Sequence, residues 1–244
     1  MILGIDTSGK TCSVAVSERN NILGEFFINN GLTHSETLMP MIDTLLKTIN
    51  LDIKEIKNIA LSIGPGSFTG LRIGTSVAIA ISQALKIKIV EVSTLESLAY
   101  NLSSRNNNDK NNLVIPIMDA RRGQVYTAGF RNGIKIIEEQ NILFEDLLKQ
   151  IEEKKEIDEE PIFVGDATLI YEVKKPPSNL IFQRASSLCL LADEKISSNT
   201  IYDEDYNKQA SYDFTLQNTP KVTINYLRKP QAERELDDKT SSPI

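Results

Sequence analysis

Two short runs hold most of the side chains suited to phosphate chemistry. Asp6-Thr7-Ser8-Gly9-Lys10-Thr11 sets an acid, hydroxyls and a lysine around one glycine. In such a turn, backbone N–H groups and hydroxyls can cradle an anion while the acid helps to hold a metal. Asp6, Ser8 and Thr11 are the contacts this reading selects. Asp119-Ala120-Arg121-Arg122-Gly123-Gln124 offers a second acid, Asp119, with guanidiniums such as Arg121 that can pair with a phosphate or a carboxylate. Each run also reads as an ordinary polar turn. The G-x-x-x-x-G-K-S/T spacing of a Walker loop is absent.

Other chemistries have little to work with. His34 is the only histidine, so a two-histidine metal site is excluded, and its place at a helix start suits a cap or a surface residue. Cys12 and Cys189 have no C-x-x-C spacing, which fits cytosolic bystanders better than a structural zinc site. Neither H-E-x-x-H nor G-x-S-x-G occurs, and no Ser-His-Asp arrangement is supported. The most distinctive run is Gly64-Pro65-Gly66-Ser67-Phe68-Thr69-Gly70-Leu71-Arg72-Ile73-Gly74. Its glycines permit left-handed or tightly packed backbone before a helix. That helix N-terminus suits either an anion or a close packing contact, and the residues alone do not choose between them.

The elements that must position these runs follow from apolar periodicity. Ile2–Ile5, Cys12–Val16 and Ile22–Ile28 read as a three-strand meander. A helix over Thr33–Ile49 follows, with Leu38, Ile42, Leu45 and Ile49 on one face, Thr33 and Glu36 as a capping box, and Pro40 as a kink or a start. Then come strand Ile59–Ile63, helix Arg72–Leu85, strand Ile87–Val92 and a helix opening near Thr94. In the Arg72–Leu85 helix, Ile73, Val77, Ile81 and Leu85 form a stripe, while Gly74, Ala78, Ala80 and Ala84 keep the other faces thin. This suits a helix buried in its own domain or one that meets a partner helix.

The order then begins again. Leu113–Met118, Gln124–Phe130 and Ile134–Glu138 read as strands, with Arg131-Asn132-Gly133 as a turn. Helix Phe144–Glu153, strand Ile162–Val164, helix Thr168–Lys174, strand Leu180–Phe182 and helix Ser186–Ile196 complete the second set. Two β-β-β-α-β-α-β units predict an α/β, actin-like fold of two ribonuclease-H-like lobes. The first covers 1–102 and the second 113–200, with a C-terminal segment, 201–244, that packs back in part and ends in a disordered tail. The polar stretch Ser103–Asn112 marks the boundary. Val164-Gly165-Asp166-Ala167 ends a strand and opens a helix where actin-like folds hold adenosine, which adds Gly165 to the candidates.

The bulk composition narrows the partners. The chain has 244 residues, 27 Lys+Arg against 33 Asp+Glu, and a net charge of -6. An acidic chain is poorly suited to grip a phosphate backbone by itself, although nucleic acid held by a partner stays open. The apolar run at Met1–Ile5 meets Asp6 at once and is too short for a signal peptide or membrane span, so a cytoplasmic chain with no membrane contact is expected.

ILGIDTS, THSETLMPMID, GPGSFTGLRIGTSVA, VSTLESLA, DARRGQVY and NYLRKPQAE appear between Ile2 and Glu233 in the order found in the TsaB (YeaZ-like) family, which the chain resembles. GPGSFTGLRIG is the specific one; the rest support it. The resemblance implies a non-catalytic scaffold or activator beside TsaD, the subunit that transfers a threonylcarbamoyl group to tRNA adenosine. TsaD-like chains bind metal through an H-x-x-x-H pair, and here Thr94 and Leu98 occupy those positions; neither is an adequate ligand. It implies a partner interface on the first-lobe helices at Leu38, Ile42, Leu45, Ile73, Gly74, Val77, Ala78 and Ile81. It further implies a homodimer through the same surface, a TsaE-type P-loop ATPase as third component, and tRNA contact only through the complex. No cofactor is required on this reading, with ATP or ADP and Mg bound weakly or at the complex interface if at all. Gln124 departs from the glutamate expected there. The alternative is an actin-fold nucleotide-hydrolysing or phosphoryl-transferring enzyme using Asp6, Ser8, Thr11 and Asp119 around a Mg-nucleotide.

Overall fold

The computed structural model describes residues 1–31, 33–103, 113–198 and 220–228. Strands β1 (Ile2–Asp6), β2 (Cys12–Glu18) and β3 (Asn21–Ile28) form an antiparallel meander, and β4 (Asn58–Ser62) and β5 (Lys88–Val92) add in parallel to give the order β3-β2-β1-β4-β5. This is the order of a ribonuclease-H-like lobe. Arg19 and Asn20 both take positive φ, as a tight hairpin turn between β2 and β3 requires. β1 is central and buried along its length, so it is apolar on both faces. Leu3 and Ile5 face helices α1 (His34–Thr48) and α2 (Phe68–Leu85), while Ile2 faces the opposite layer.

Both helices differ in detail from expectation. α1 runs unbroken through the exposed Pro40. Thr33 is its N-cap, but no capping box forms: the Thr33 hydroxyl donates to the Glu36 carboxylate at 2.6 Å instead of accepting from the backbone. α2 starts at Phe68, four positions before the expected Arg72, because Ser67 caps it by accepting from the Gly70 N–H at 3.2 Å. α2 is long and apolar enough to cross a membrane by length and composition. Its inner side, including Leu71, Ala78 and Ile81, packs on the first sheet.

The second lobe departs further. Strands β6 (Leu113–Asp119), β7 (Gln124–Arg131), β8 (Ile134–Leu143) and β9 (Ile162–Val164) form a four-stranded sheet of order β8-β7-β6-β9, with α4 (Phe144–Lys154) packed on it. Asn132 and Gly133 make the left-handed turn between β7 and β8. The helix expected over Thr168–Lys174 is only a short 3-10 turn, Asp166–Leu169, and the strand expected at Leu180–Phe182 does not form. The Lys174 carbonyl accepts from the Phe163 N–H at 2.9 Å, which draws this stretch beside β9, and the Leu180 and Phe182 carbonyls accept from Asn101 Nδ2 at 3.0 and 2.9 Å rather than from a strand.

Helix α5 (Ala185–Ser197) then returns to the first lobe. Ala185, Leu188, Cys189 and Ala192 pack against Ile2, Ala15, Ala60 and Val90. The approach is so close that a Cβ on Gly4 would stand 2.6 Å from the Ala185 carbonyl oxygen. The second lobe therefore loses the last helix assigned to it within 113–200. The lobes meet through α3 (Thr94–Ser103), whose Leu95, Leu98 and Ala99 join Val114, Met118, Ala128 and Phe130 in one apolar cluster. The polar boundary from 104 to 112, the C-terminal segment outside 220–228 and the expected disordered tail lie outside the described residues.

Candidate functional site in the cleft between the lobes

The Asp6–Thr11 turn is built around a buried carboxylate. Asp6 Oδ1 accepts from the Ser8 N–H at 2.9 Å and the Ser8 hydroxyl at 2.6 Å, while Oδ2 has no partner. The residue is wholly buried. Burial pushes its carboxyl up to about 6, although the Ser8 bonds, the Ser62 hydroxyl and the charge of His34 pull the other way. His34 opens α1 directly behind its N-cap Thr33. Its Nε2 lies 2.9 Å from the Gly9 carbonyl, clamping the turn to the start of α1.

The glycine-rich run packs against the same turn. Ser67 N–H donates to the Ser8 carbonyl at 2.7 Å, and the Thr7 hydroxyl donates to the Gly70 carbonyl at 2.7 Å. A Cβ would stand 2.2 Å from the Ser8 oxygen at Gly66, 2.0 Å from the Thr7 oxygen at Gly70 and 2.4 Å from Thr7 Oγ1 at Gly74. Close packing accounts for these three glycines, because no real Cβ survives such distances.

Between the lobes lies a cleft of about 630 Å³. Ser8, Gly9, Lys10 and residues 65–69 line its first-lobe side, and Met118, Asp119, Arg121, Tyr126 and Asp166 its second-lobe side. Asp119 Oδ1 accepts from the Arg121 N–H at 2.8 Å, while the Asp119 N–H donates to Asp166 Oδ1 at 3.0 Å. Arg121, Arg122 and Gly123 all have positive φ, which turns the hairpin back sharply. Lys10 crosses the cleft to Asp166 Oδ2 at 3.6 Å. Burial raises the Asp166 carboxyl, partly offset by the Asp119 N–H and by Lys10. Asn225, Tyr226, Leu227 and Arg228 complete the lining.

Of the sequence candidates, Ser8, Asp119 and Arg121 come together here. Asp6 and Thr11 are sealed beneath the turn and do not reach the cleft. Gly165 is a packing residue: its φ is 114° and a Cβ would meet the Ile117 carbonyl oxygen at 2.1 Å. Its neighbour Asp166 is the one that faces the cleft. Lys10, Asp166 and residues 225–228 were not selected from sequence; the V-G-D run pointed at Asp166, but only the fold shows which of its residues faces inward.

The positions expected to lack metal ligands are both core positions. Thr94 shares a hydrogen bond with Ser62 at 2.7 Å, and Leu98 is fully buried in the apolar cluster between the lobes. Among the described residues, no group of three or more His, Cys, Asp or Glu side chains is placed to hold a metal ion.

The expected partner face needs correction. Leu38, Ile42, Leu45, Gly74, Ala78 and Ile81 are buried in the chain's own core, so their side chains are not free for a partner. A buried leucine or isoleucine contributes about 1.5–3 kcal/mol to folding, which is their evident use. Only Ile73 and Val77 of that set reach the surface. Beside them the outer sides of α1 and α2 expose Met39, Pro40, Thr44, Ser76, Ala80 and Ala84, together with the charged Glu36, Asp43, Lys47 and Arg72, of which Asp43 and Lys47 pair with each other at 2.7 Å.

Comparison with known proteins adds to this geometry. A family model described as TsaD, tRNA N6-adenosine threonylcarbamoyltransferase, matches residues 25–233. The tRNA threonylcarbamoyladenosine biosynthesis protein TsaB of Bacillus subtilis (strain 168) is 34% identical over 175 residues, 70% of this chain and 73% of that protein. TsaB of Escherichia coli (strain K12) is 33% identical over 136 residues, 54% of this chain and 57% of that protein. Among solved structures, YeaZ from Pseudomonas aeruginosa has a TM-score of 0.65 at 22% identity, covering 82% of this chain and 93% of that one. That likeness carries the two-lobed actin-like fold.

Proposed function

The chain belongs to the TsaB (YeaZ-like) family of tRNA threonylcarbamoyladenosine biosynthesis proteins, and on that premise we propose that it is the non-catalytic scaffold and activator of a TsaD-type transferase subunit. One observation carries the non-catalytic part. Where the paired metal-binding histidines of a transferase subunit are expected, Thr94 and Leu98 are committed to the core, one bonded to Ser62 and the other packed between the lobes. A leucine offers no metal ligand and a threonine hydroxyl a poor one.

The activating part rests on the outer faces of α1 and α2. The exposed Ser76, Ala80 and Ala84 of α2 let a partner helix approach closely, and the charged Asp43 and Lys47 of α1 flank that contact. A TsaD-type subunit is the partner of choice; a second copy of this chain would use the same face, and a TsaE-type ATPase and tRNA would join through the complex. The cleft, with Lys10 and Arg121 beside Asp119, has the mixed charge to hold a nucleotide weakly, without any role in turnover. Co-elution of the chain with a TsaD-type subunit in size-exclusion chromatography tests the proposal. Absence of a complex at micromolar concentrations of both would sink it.

A further inference from the structure

The NYLR motif at Asn225–Arg228 lies on a short strap, residues 220–228, that touches both lobes. On the first lobe, the Thr223 N–H donates to Glu91 Oε1 at 3.0 Å and the Asn225 N–H donates to the Ile63 carbonyl at 2.8 Å. The Tyr226 ring lies 5.1 Å from that of Phe68, and its hydroxyl accepts from Arg72 Nε at 3.3 Å. On the second lobe, Asn225 Nδ2 donates to Glu139 Oε2 at 2.8 Å, and the Arg228 guanidinium donates to the Ala120 carbonyl. One residue, Asn225, is thus bonded to each lobe at once.

The surroundings are shaped to receive it. Gly64 has φ of 110°, and a Cβ there would stand 2.7 Å from the Asn225 carbonyl oxygen. Glu139 is steadied by Lys135 at 3.5 Å and its side chain is only 12% exposed. Hydrogen bonds to charged groups that are partly shielded from water are the stronger kind. Among the described residues, the other links between the lobes include the apolar contact of α3, the Asn101 Nδ2 bonds to the Leu180 and Phe182 carbonyls, and the Lys10–Asp166 pair, whose lysine is largely exposed. An exposed pair of that kind holds little.

We propose that this strap is a clasp that sets the width of the cleft, with Asn225 and Arg228 as its positioning residues. They hold the Ala120 hairpin and β8 against the first turn of α2, and the cleft they line keeps its shape through them. Without these bonds the lobes pivot on the α3 contact and the cleft widens.

Spin labels at Ala84→Cys on α2 and Glu153→Cys on α4 test this in the full chain. Both sites are exposed, while the native Cys12 and Cys189 are buried and do not take up label. The parent is expected to show one narrow inter-label distance. Asn225→Ala and Arg228→Met are each expected to shift it by several ångströms and at least double its width. Circular dichroism and Tm confirm that the variants remain folded. If Asn225→Ala does not fold, Arg228→Met, which keeps the aliphatic stem, decides alone. Parent-like distances in the folded variants would overturn the clasp and assign the cleft width to the other links between the lobes.

Discussion

Thr7 and Gly70 are locked together from both sides: the Thr7 hydroxyl donates to the Gly70 carbonyl at 2.7 Å, and a Cβ on Gly70 would stand 2.0 Å from the Thr7 carbonyl oxygen. The first turn of α2 therefore rides directly on the turn that follows β1. Gly70→Ala must push backbone from backbone, which no rotamer change relieves. The expected loss is at least the ~1–3 kcal/mol typical of overpacking. Urea denaturation checks it, and an unchanged midpoint would contradict the close-packing account of the glycine-rich run.

Asp6 gives the protein a specific pH dependence. Its folded carboxyl sits at about 6, above the ~3.9 of an unfolded aspartate. Between these values the native state holds a proton that the unfolded chain has lost, so this group's contribution makes the protein more stable as pH falls from about 6 towards 4. Above pH 6 the buried carboxylate carries a penalty of roughly 3 kcal/mol. Asp6→Asn should raise stability at pH 7 and flatten the profile between pH 4 and 6. Chemical denaturation of both proteins across that range measures it; parallel profiles would show that Asp6 is not strained.

Val77 and Ala78 are neighbours with opposite fates. Val77 is on the half-exposed side of α2, and Ala78 is fully buried against the sheet. Val77→Glu should leave Tm within a few degrees of the parent and abolish co-elution with a TsaD-type subunit. Ala78→Glu should unfold the chain, because it buries an unpaired charge. A complex retained by Val77→Glu and by Ala80→Glu would remove α2 from the interface.

Glu25 anchors α5 to the first sheet. One oxygen accepts from the Ser186 N–H at 3.0 Å and the Ser186 hydroxyl at 2.9 Å; the other pairs with Arg184. Glu25→Ala strips a carboxylate from a helix N-terminus and leaves Arg184 without its partner. A loss of about 1.5–3 kcal/mol is expected, the range for hydrogen bonds to a charged group. Hydrogen exchange should rise first in the opening turn of α5. No change there would assign its placement to apolar packing alone.

The first lobe was legible in the sequence because its strands are apolar runs separated by turn residues, and each β or α period is clean. The second lobe was legible only as far as β9. Beyond it, an amphipathic pattern at Thr168–Lys174 yields only the turn Asp166–Leu169, because the Lys174 carbonyl pairs with the Phe163 N–H of β9 instead. The pattern of α5 announces a helix but not which sheet it covers; that depends on Gly4, 181 positions before Ala185, leaving room. The same limit applies to Leu38 and Ala78, since an apolar stripe looks alike whether it meets the chain's own sheet or a partner. At the site, Ser8, Asp119 and Arg121 followed from turn chemistry. The sealing of Asp6 and Thr11, and the contribution of Asn225–Arg228, depend on contacts between distant segments that no local pattern encodes.

The most direct test of the central claim is threonylcarbamoyl-adenosine formation on tRNA by a reconstituted mixture of a TsaD-type subunit, a TsaE-type ATPase, the adenylate-forming enzyme, ATP, threonine and bicarbonate, with and without this chain. Modification that requires the chain, with none from the chain alone, is the predicted result. Full modification without it would contradict the activator role.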